Sequence, residues 1–339
     1  MAFYKRAVQA VLAPALFIAL SVLVGFAAAR YYGRDLSALY PPPQGDNHPA
    51  LGVGNGRAPE IHQLAWHGPR LMAATSDGVY AQSADRVWQP LRDGLPSKTD
   101  VRLLSSLASA PIAATDRGDV YLFGPSSWKL IARSPINGPF RWLRGTSEGF
   151  LAFADSHLFS WNRSDGAFSH RSFDGISNPA TWRRSLVYEA GGTAIKRVDL
   201  YIARHGAAIL VPRESGDADT PPLMGAPGDP GLYWDAVAPI AVGARDRVID
   251  ADLLPSDQRS DFDVAVIFED TGFGVVSFRG GQAREPVFIR SGLPIAELTA
   301  VAAGRRSLYV GTKNRGVYRK IPGPQRFEPA NAGLLYIPQ

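Results

Sequence analysis

A short phrase recurs along this chain. An apolar run ends in a small residue or Thr, a polar turn follows, and an apolar–aromatic pair opens the next run, at residues 71–80 (LMAATSDGVY), 112–121 (IAATDRGDVY) and 308–318 (LYVGTKNRGVY). The first two copies lie about 40 residues apart, and the third falls about five such periods further on. Short strands repeated with a period of about 40 to 50 residues indicate a β-propeller. The sequence therefore predicts an all-β fold built from radially stacked four-stranded sheets, or blades.

The clearest copies predict where the four strands of a blade lie. The predicted strands of the first copy are 61–66, 71–75, 79–82 and 87–91, and those of the last are 298–303, 308–312, 316–319 and 326–329. The residues that anchor the third strand of each blade are predicted to be Val79, Val120, Leu158, Ile195, Val275 and Val317.

The longest interval in this series sets the predicted blade count. Ile195 and Val275 are separated by about two periods, which predicts a hidden unit around residues 232–237 (LYWDAV) and seven blades in all. Residues 215–230 are rich in Pro, Gly and Asp and are typical of a long loop. Six blades with a large insertion is therefore the alternative.

A second phrase marks the crossing from one blade to the next. An aromatic residue on the outer strand is followed by Gly-Leu at residues 88–96 (WQPLRDGLP), 288–294 (FIRSGLP) and 327–334 (FEPANAGL). We expect the Gly to adopt a positive φ and the Leu to fill the space between neighbouring sheets.

The N-terminus predicts the location of the protein. Lys5 and Arg6 precede residues 7–29, which carry no charge and are long enough, as a helix, to cross the roughly 30 Å core of a bilayer. We predict a cytoplasmic N-terminus (1–6), a single transmembrane signal-anchor helix (7–29) in the cell inner membrane, a Pro/Gly-rich linker (30–59) and a periplasmic propeller (60–339). The alternative is a cleaved signal peptide, because residues 27–29 (AAA) fit a cleavage site. Both interpretations export the propeller.

Composition excludes several kinds of chemistry. The net charge of +5 is spread thinly and forms no basic run, so we predict no nucleic-acid partner. The chain has 0 Cys, which excludes a thiol nucleophile, a disulfide framework and a Cys-ligated zinc. The 6 His are scattered without a metal-binding spacing, so we predict no metal site and no cofactor.

Two segments carry a family resemblance. Residues 83–88 (SADRVW) keep the Ser, Asp and Trp of the pattern Ser-x-Asp-x-Gly-x-x-Trp, and residues 164–168 (SDGAF) keep its Asp-Gly-aromatic end. The chain thus resembles the bacterial neuraminidase-type, or Asp-box, repeat, in the class that includes sortilin, xyloglucanase and photosystem-assembly-factor propellers. The resemblance implies a structural role, with nothing catalytic, for Asp85, Trp88, Asp165 and Phe168.

The turns between second and third strands lie on the same face of a propeller as the blade crossings, so we predict a mixed-charge binding rim there. The candidate residues are Asp77, Asp116, Arg117, Asp155, Glu269, Asp270, Lys313, Asn314 and Arg315. The predicted function is a non-catalytic protein-interaction or assembly module with a partner in or near the membrane. The alternative is a carbohydrate-active hydrolase of sialidase or endoglucanase type, which requires convergent carboxylates or an Arg cluster with Tyr and Glu. A small-molecule or ion sensor, based on the loop at 215–230, is a third hypothesis.

Overall fold

The computed structural model divides the chain into two units, Met1–Gly54 and Asn55–Gln339, and the description below concerns the second. The described residues are 56–107, 109–136, 138–154, 157–172, 181–190, 194–202, 208–213, 238–239, 247–254, 262–279, 282–284, 286–304, 307–334 and 337–338. The predicted anchor at 7–29 lies outside them. Within these ranges, no helix has the length and apolar character needed to span a bilayer.

The described residues form six antiparallel sheets of four or five strands, blades 1 to 6, and one two-stranded ladder. The ladder begins with β1 (Gly56–Arg57). The strands of blade 1 are β2 (Ile61–His67), β3 (Arg70–Thr75), β4 (Gly78–Gln82) and β5 (Trp88–Leu91). Those of blade 2 are β6 (Val101–Leu107), β7 (Ala110–Thr115), β8 (Asp119–Phe123) and β9 (Trp128–Arg133). Those of blade 3 are β10 (Trp142–Gly145), β11 (Gly149–Ala154), β12 (His157–Asn162) and β13 (Phe168–Ser172).

The remaining blades follow the same order. The strands of blade 4 are β14 (Thr181–Ala190), β15 (Ala194–Ile202), β16 (Ala208–Arg213) and β17 (Ala238–Pro239). Those of blade 5 are β18 (Val248–Leu254), β19 (Phe262–Phe268), β20 (Gly272–Arg279), β21 (Gln282–Ala283) and β22 (Val287–Phe288). Those of blade 6 are β23 (Leu298–Ala303), β24 (Leu308–Thr312), β25 (Val317–Lys320) and β26 (Phe327–Pro329), and the ladder ends with β27 (Ile337–Pro338). The strands predicted for the first and last copies are confirmed to within about one residue at their ends.

The first strand of each blade is the innermost one and joins the blades into a ring. Contacts between these strands run from β2 to β6, β10, β14, β18 and β23, and β23 contacts β2 again. The order is therefore cyclic, as a propeller requires.

Burial within a blade follows from this arrangement. All five residues of β4 are buried, as are five of the six in β3, whereas the outer strand β5 buries only Trp88. A strand covered on both faces lacks the polar alternation of a half-exposed sheet. This explains why the recurrent phrase contains apolar runs rather than an alternating pattern.

The ends of the folded unit pair with each other. Gly56 is the register partner of Pro338, and Arg57 is the partner of Ile337. The sequence predicted a linker through residue 59 and left open whether the C-terminal tail adds a strand. The C-terminal tail does add a strand, β27, which pairs with Gly56–Arg57 near the end of the predicted linker.

Blade 4 corrects one strand assignment. Ile195 was predicted on a third strand, but it lies in β15, the second strand of its sheet. The error arose because this blade carries no copy of the recurrent phrase. The third strand of blade 4 is β16, which follows the third strand of blade 3, β12, by about one period. The interval from β16 to the third strand of blade 5 is therefore shorter than the interval from Ile195 to Val275 that predicted a seventh blade. Residues 232–237 themselves lie outside the described residues, and β14 of blade 4 contacts β18 of blade 5 directly.

The crossing phrase has the predicted geometry. Gly94, Gly292 and Gly333 have φ of 86°, 79° and 83°. A Cβ on Gly94 would overlap the carbonyl oxygen of Trp128, on the outer strand of the next blade. A Cβ on Gly292 would overlap the carbonyl oxygen of Phe327 in the same way, and a Cβ on Gly333 would overlap that of Trp88. The recurrence of this glycine therefore reflects a close backbone approach between consecutive blades.

We predict that Gly94→Ala destabilises the fold more than Gly323→Ala. Gly323 has nearly the same φ, 87°, but a Cβ at that position would meet no atom within 4 Å. The Gly323 variant should lose about 1 to 2 kcal/mol from backbone strain alone. The Gly94 variant should lose about 1 to 3 kcal/mol more from overpacking. Denaturant unfolding followed by Trp fluorescence measures both, and equal losses would contradict the close approach.

Candidate functional site

The turns predicted to form a rim do lie on one face, which we call the turn face. Where a second strand ends, the next N–H donates to the carbonyl just before the first strand of the same blade. These bonds are Ser76 to Glu60 (3.0 Å), Asp116 to Asp100 (2.9 Å), Glu269 to Arg247 (2.8 Å) and Lys313 to Glu297 (2.8 Å). The opposite face carries the turns between first and second and between third and outer strands.

The candidate rim residues differ in their surroundings. Asp116, Arg117, Glu269, Asp270, Lys313 and Arg315 are exposed, and Asn314 is half-buried. Asp155 lies outside the described residues. Asp77 is largely buried by its partners: it accepts a hydrogen bond from the Tyr80 hydroxyl (3.2 Å) and contacts the Arg92 guanidinium. Arg92 also donates to the Tyr80 hydroxyl (2.7 Å), so this turn is tied to the following crossing.

A buried histidine joins blades 1 and 2 on the turn face. His62 Nε2 lies 2.8 Å from Asp100 Oδ1, and Arg102 donates to Asp100 Oδ2 at 2.6 Å. Burial lowers the pKa of His62 below its usual range, and the charge of Arg102 lowers it further, against opposing effects of Asp100 and Glu60. The contact between His62 and Asp100 links the first strand of blade 1 to the start of blade 2.

A cavity of about 470 Å³ lies among the innermost strands. Two carboxylates that the sequence analysis missed line it, Asp250 and Asp252 of β18, which are 3% and 8% exposed. The acidic rim candidates Glu269 and Asp270 lie on an exposed turn and do not line this cavity.

Asp250 and Asp252 both hold blade 5 to blade 6. Asp250 accepts the N–H of Ala251 through Oδ1 (2.8 Å) and that of Val301 through Oδ2 (2.9 Å). Asp252 accepts the N–H of Leu253 (2.9 Å) and of Ala303 (2.7 Å) in the same manner. All four oxygens thus accept a backbone hydrogen bond, and these bonds fix both carboxylates against the strands.

The same positions do the same work in other blades. The innermost strands of blades 1 and 5 each contain a β-bulge near their start, and Gln63 and Asp250 follow the bulge at equivalent positions. Gln63 Oε1 accepts the N–H of Leu104 in the next blade (2.6 Å), and Ser105, which corresponds to Asp252, accepts that of Gly145 (3.0 Å). This correspondence, rather than acidic clustering, was the signal that could have located the two aspartates. Their equivalence to uncharged residues favours a structural role.

A hydrogen-bonded Ser–His pair lies at the other end of the cavity. His67 Nδ1 is 2.9 Å from Ser106 Oγ, and burial lowers the pKa of His67. A serine hydrolase site also needs a group that orients the histidine, commonly a carboxylate. No carboxylate contacts His67 among the described residues, so the pair links blades 1 and 2 without forming a triad there. Nor do the described ranges bring three or more His, Asp or Glu together in a way that could hold a metal ion.

The residues taken from the Asp-box resemblance occupy turns and blade interfaces. Asp165 accepts the N–H of Ala167 (2.9 Å) within its turn. In the corresponding turn of blade 1, Ser83 Oγ rather than Asp85 accepts an amide, that of Val87 (3.2 Å). Trp88 is 1% exposed and its Nε1 donates to the carbonyl of Ala330 (2.8 Å), between blades 1 and 6. Phe168 packs edge-on against Phe150.

Comparison with known proteins supports the fold and does not define a family. No protein-family model matches the sequence, and no curated protein does. Among solved structures, the extracellular domain of BT4673 from B. thetaiotaomicron superposes with a TM-score of 0.50 at 10% identity, over 78% of this chain and 38% of that one. The WD40 β-propeller domain of Doa1 gives 0.46 at 11% identity, over 80% and 96%. YCF48 bound to D1 peptide gives 0.40 at 12% identity, over 77% of each chain. The chain is a β-propeller, and the Asp-box resemblance stays a prediction.

We predict that Asp250→Asn destabilises the fold, because one of the two amides it binds would face an NH₂ group. Loss of a hydrogen bond to a charged acceptor costs about 1.5 to 3 kcal/mol. Asp85→Asn, an exposed control in a turn, should stay within about 0.5 kcal/mol of the parent protein. Chemical denaturation compares the variants. An Asp250→Asn protein as stable as the parent would contradict the structural role.

Proposed function

We propose that this protein is a membrane-anchored, six-bladed extracytoplasmic propeller that binds a protein partner on its turn face and has no catalytic activity. The observation that carries the proposal is the division of polar groups between the channel and the rim. Carboxylates in the channel accept hydrogen bonds from backbone amides, whereas charged side chains on the turn face are exposed and available to a partner.

The rim is suited to binding for physical reasons. Exposed turns are displayed by a rigid scaffold, which lowers the conformational entropy lost when a partner binds. Arg residues are enriched at protein interfaces, and the turn face carries several of them. The mixed charge favours orientation and specificity over tight binding by area alone.

The first described residues lie beside the turn face. The N–H of Ala58 donates to the carbonyl of Asn314 (3.2 Å), so the described chain begins beside a turn of the rim. The predicted anchor at 7–29 and linker at 30–59 would tether the propeller to the membrane. Such a tether raises the effective concentration of the rim for partners in the membrane.

The hydrolase alternative has a specific requirement that the described channel does not support. It needs one carboxylate to act as acid and a second as base or nucleophile across a cleft. Asp250 and Asp252 lie on one strand, and each binds two backbone amides. Glycosidase activity in the parent protein that Asp252→Asn abolishes without loss of stability would favour the hydrolase instead.

Site-specific photocrosslinking in cells tests the binding face. A photoreactive amino acid at Arg117 or Lys313, on the turn face, should give an adduct with one identifiable envelope protein. The matched positions Arg163 and Arg326 are exposed on the opposite face and should not. The same partner must crosslink back to the turn face from its own surface. Adducts that form equally on both faces, or only on the opposite face, would contradict the proposal.

A further inference from the structure

In the ion pairs of the turn face, the Arg side chain is more exposed to solvent than the carboxylate it contacts. Five described pairs lie there: Arg92–Asp77, Arg102–Asp100, Arg133–Asp119, Arg247–Glu269 and Arg315–Glu297. The Arg side chains are 42% to 76% exposed, whereas the carboxylates are 17% to 46% exposed, and within each pair the Arg is the more exposed partner. The outermost charges of these pairs are therefore guanidinium groups.

A pair away from the turn face shows that this order is not general. Arg319 and Glu328 contact each other across β25 and β26, in the middle of blade 6. There the Arg is 21% exposed and the Glu is 37% exposed. The length of an Arg side chain alone thus does not produce the arrangement on the turn face.

The guanidinium groups keep donors for a second carboxylate. Arg133 contacts Asp119 through Nε (3.6 Å), and Arg315 contacts Glu297 through Nε (3.4 Å). These contacts do not use the two terminal Nη groups of either residue. A guanidinium has five N–H donors in a fixed plane and can bind a carboxylate through two of them. Three more exposed cations on this face have no ion pair among the described residues: Lys98, Arg117 and Lys313.

We infer that the turn face binds an acidic segment of a polypeptide, an inference that rests on the proposed function and names its partner class. The segment's carboxylates contact the exposed guanidinium groups, while the underlying carboxylates fix the positions of those groups. This arrangement recognises individual acidic side chains at defined points around the mouth of the channel.

The same charges disfavour an anionic lipid surface as the ligand. A membrane responds to the charge summed over about a Debye length, roughly 8 to 10 Å. On the turn face each paired Arg has a carboxylate within 4 Å or less, and the exposed Asp116 and Asp270 offset much of the charge of Lys98, Arg117 and Lys313, so that sum is small. A polypeptide carboxylate instead approaches a single guanidinium closely enough to form two hydrogen bonds, and it gains from the exposed position of the Arg.

The experiment uses the full chain in detergent and a synthetic peptide of alternating Glu and Gly, followed by fluorescence anisotropy at low salt. The turn-face variant combines Arg133→Gln, Arg247→Gln and Arg315→Gln. The matched control combines Arg86→Gln, Arg163→Gln and Arg326→Gln, which removes the same charge from exposed residues of the opposite face. A third variant with Lys at the three turn-face positions keeps the charge but loses the planar donors. A peptide of alternating Lys and Gly, and vesicles containing phosphatidylglycerol, complete the set.

We expect the turn-face variant to lose about tenfold or more in affinity for the acidic peptide, since three exposed guanidinium groups are removed together. The opposite-face control should change less than about twofold, and the Lys variant should fall between the two. The basic peptide should not bind.

Three results would overturn the inference. These are equal losses in the two Gln variants, no binding of the acidic peptide to the parent protein, or binding to vesicles with the same dependence on the turn-face arginines. The proposed function can still be tested separately after any of these results. A turn-face photocrosslink to a partner that the acidic peptide does not displace would support protein binding on this face and reject an acidic segment as the ligand. Equal far-UV spectra and unfolding midpoints for the variants ensure that a loss of binding reflects the surface and not the fold.

Discussion

The fold depends on each sheet being covered on both faces by its neighbours. Adjacent residues of β3 show this directly, because Ala73 packs in a cluster with Ala300 and Tyr309 of blade 6, whereas Ala74 packs in another with Val101 and Tyr121 of blade 2. Successive side chains of a strand point to opposite faces, so one strand serves two interfaces. A four-stranded sheet cannot bury both faces alone, and the closed ring is the arrangement that lets every blade do so.

Ring closure also determines where polar groups are available for function. Side chains of the innermost strands bind backbone amides of the next blade, as Gln63 does with Leu104 and Asp250 with Val301. Buried carboxylates in such bonds are costly to remove. The turns and crossings also hold charged side chains that remain exposed, so the turn face presents guanidinium groups together with the carboxylates of Asp116, Glu269 and Asp270. The N-terminal end of the described residues lies on that face, where the N–H of Ala58 donates to the carbonyl of Asn314.

The sequence predicted those parts of the fold whose signal is local. The recurrent phrase located the strands of blades 1 and 6 because a turn between two fully buried strands needs both apolar runs and turn residues. The glycines at the crossings were identified because a positive φ and the absence of a Cβ restrict the residue type. The sequence did not predict Asp250 as a link between blades, because its partner Val301 lies 51 residues away. It also misplaced Ile195, since blade 4 lacks the phrase, and it did not foresee that the two chain ends pair, because two-residue strands carry no pattern. The unequal exposure of the rim charges depends on side-chain packing and could be seen only in the structure.

Closure of the ring is the central claim, and a disulfide between the chain ends tests it most directly. The protein has 0 Cys, so Arg57→Cys and Ile337→Cys, which are register partners, introduce a single pair. Antiparallel partners have Cα atoms about 4.5 to 5.5 Å apart, within the range that a disulfide spans. Mild oxidation of the double variant should give an intramolecular disulfide, seen as a faster-migrating monomer on a non-reducing gel and as a higher unfolding midpoint. Failure to oxidise, or formation of dimers only, would contradict closure of the ring through its two ends.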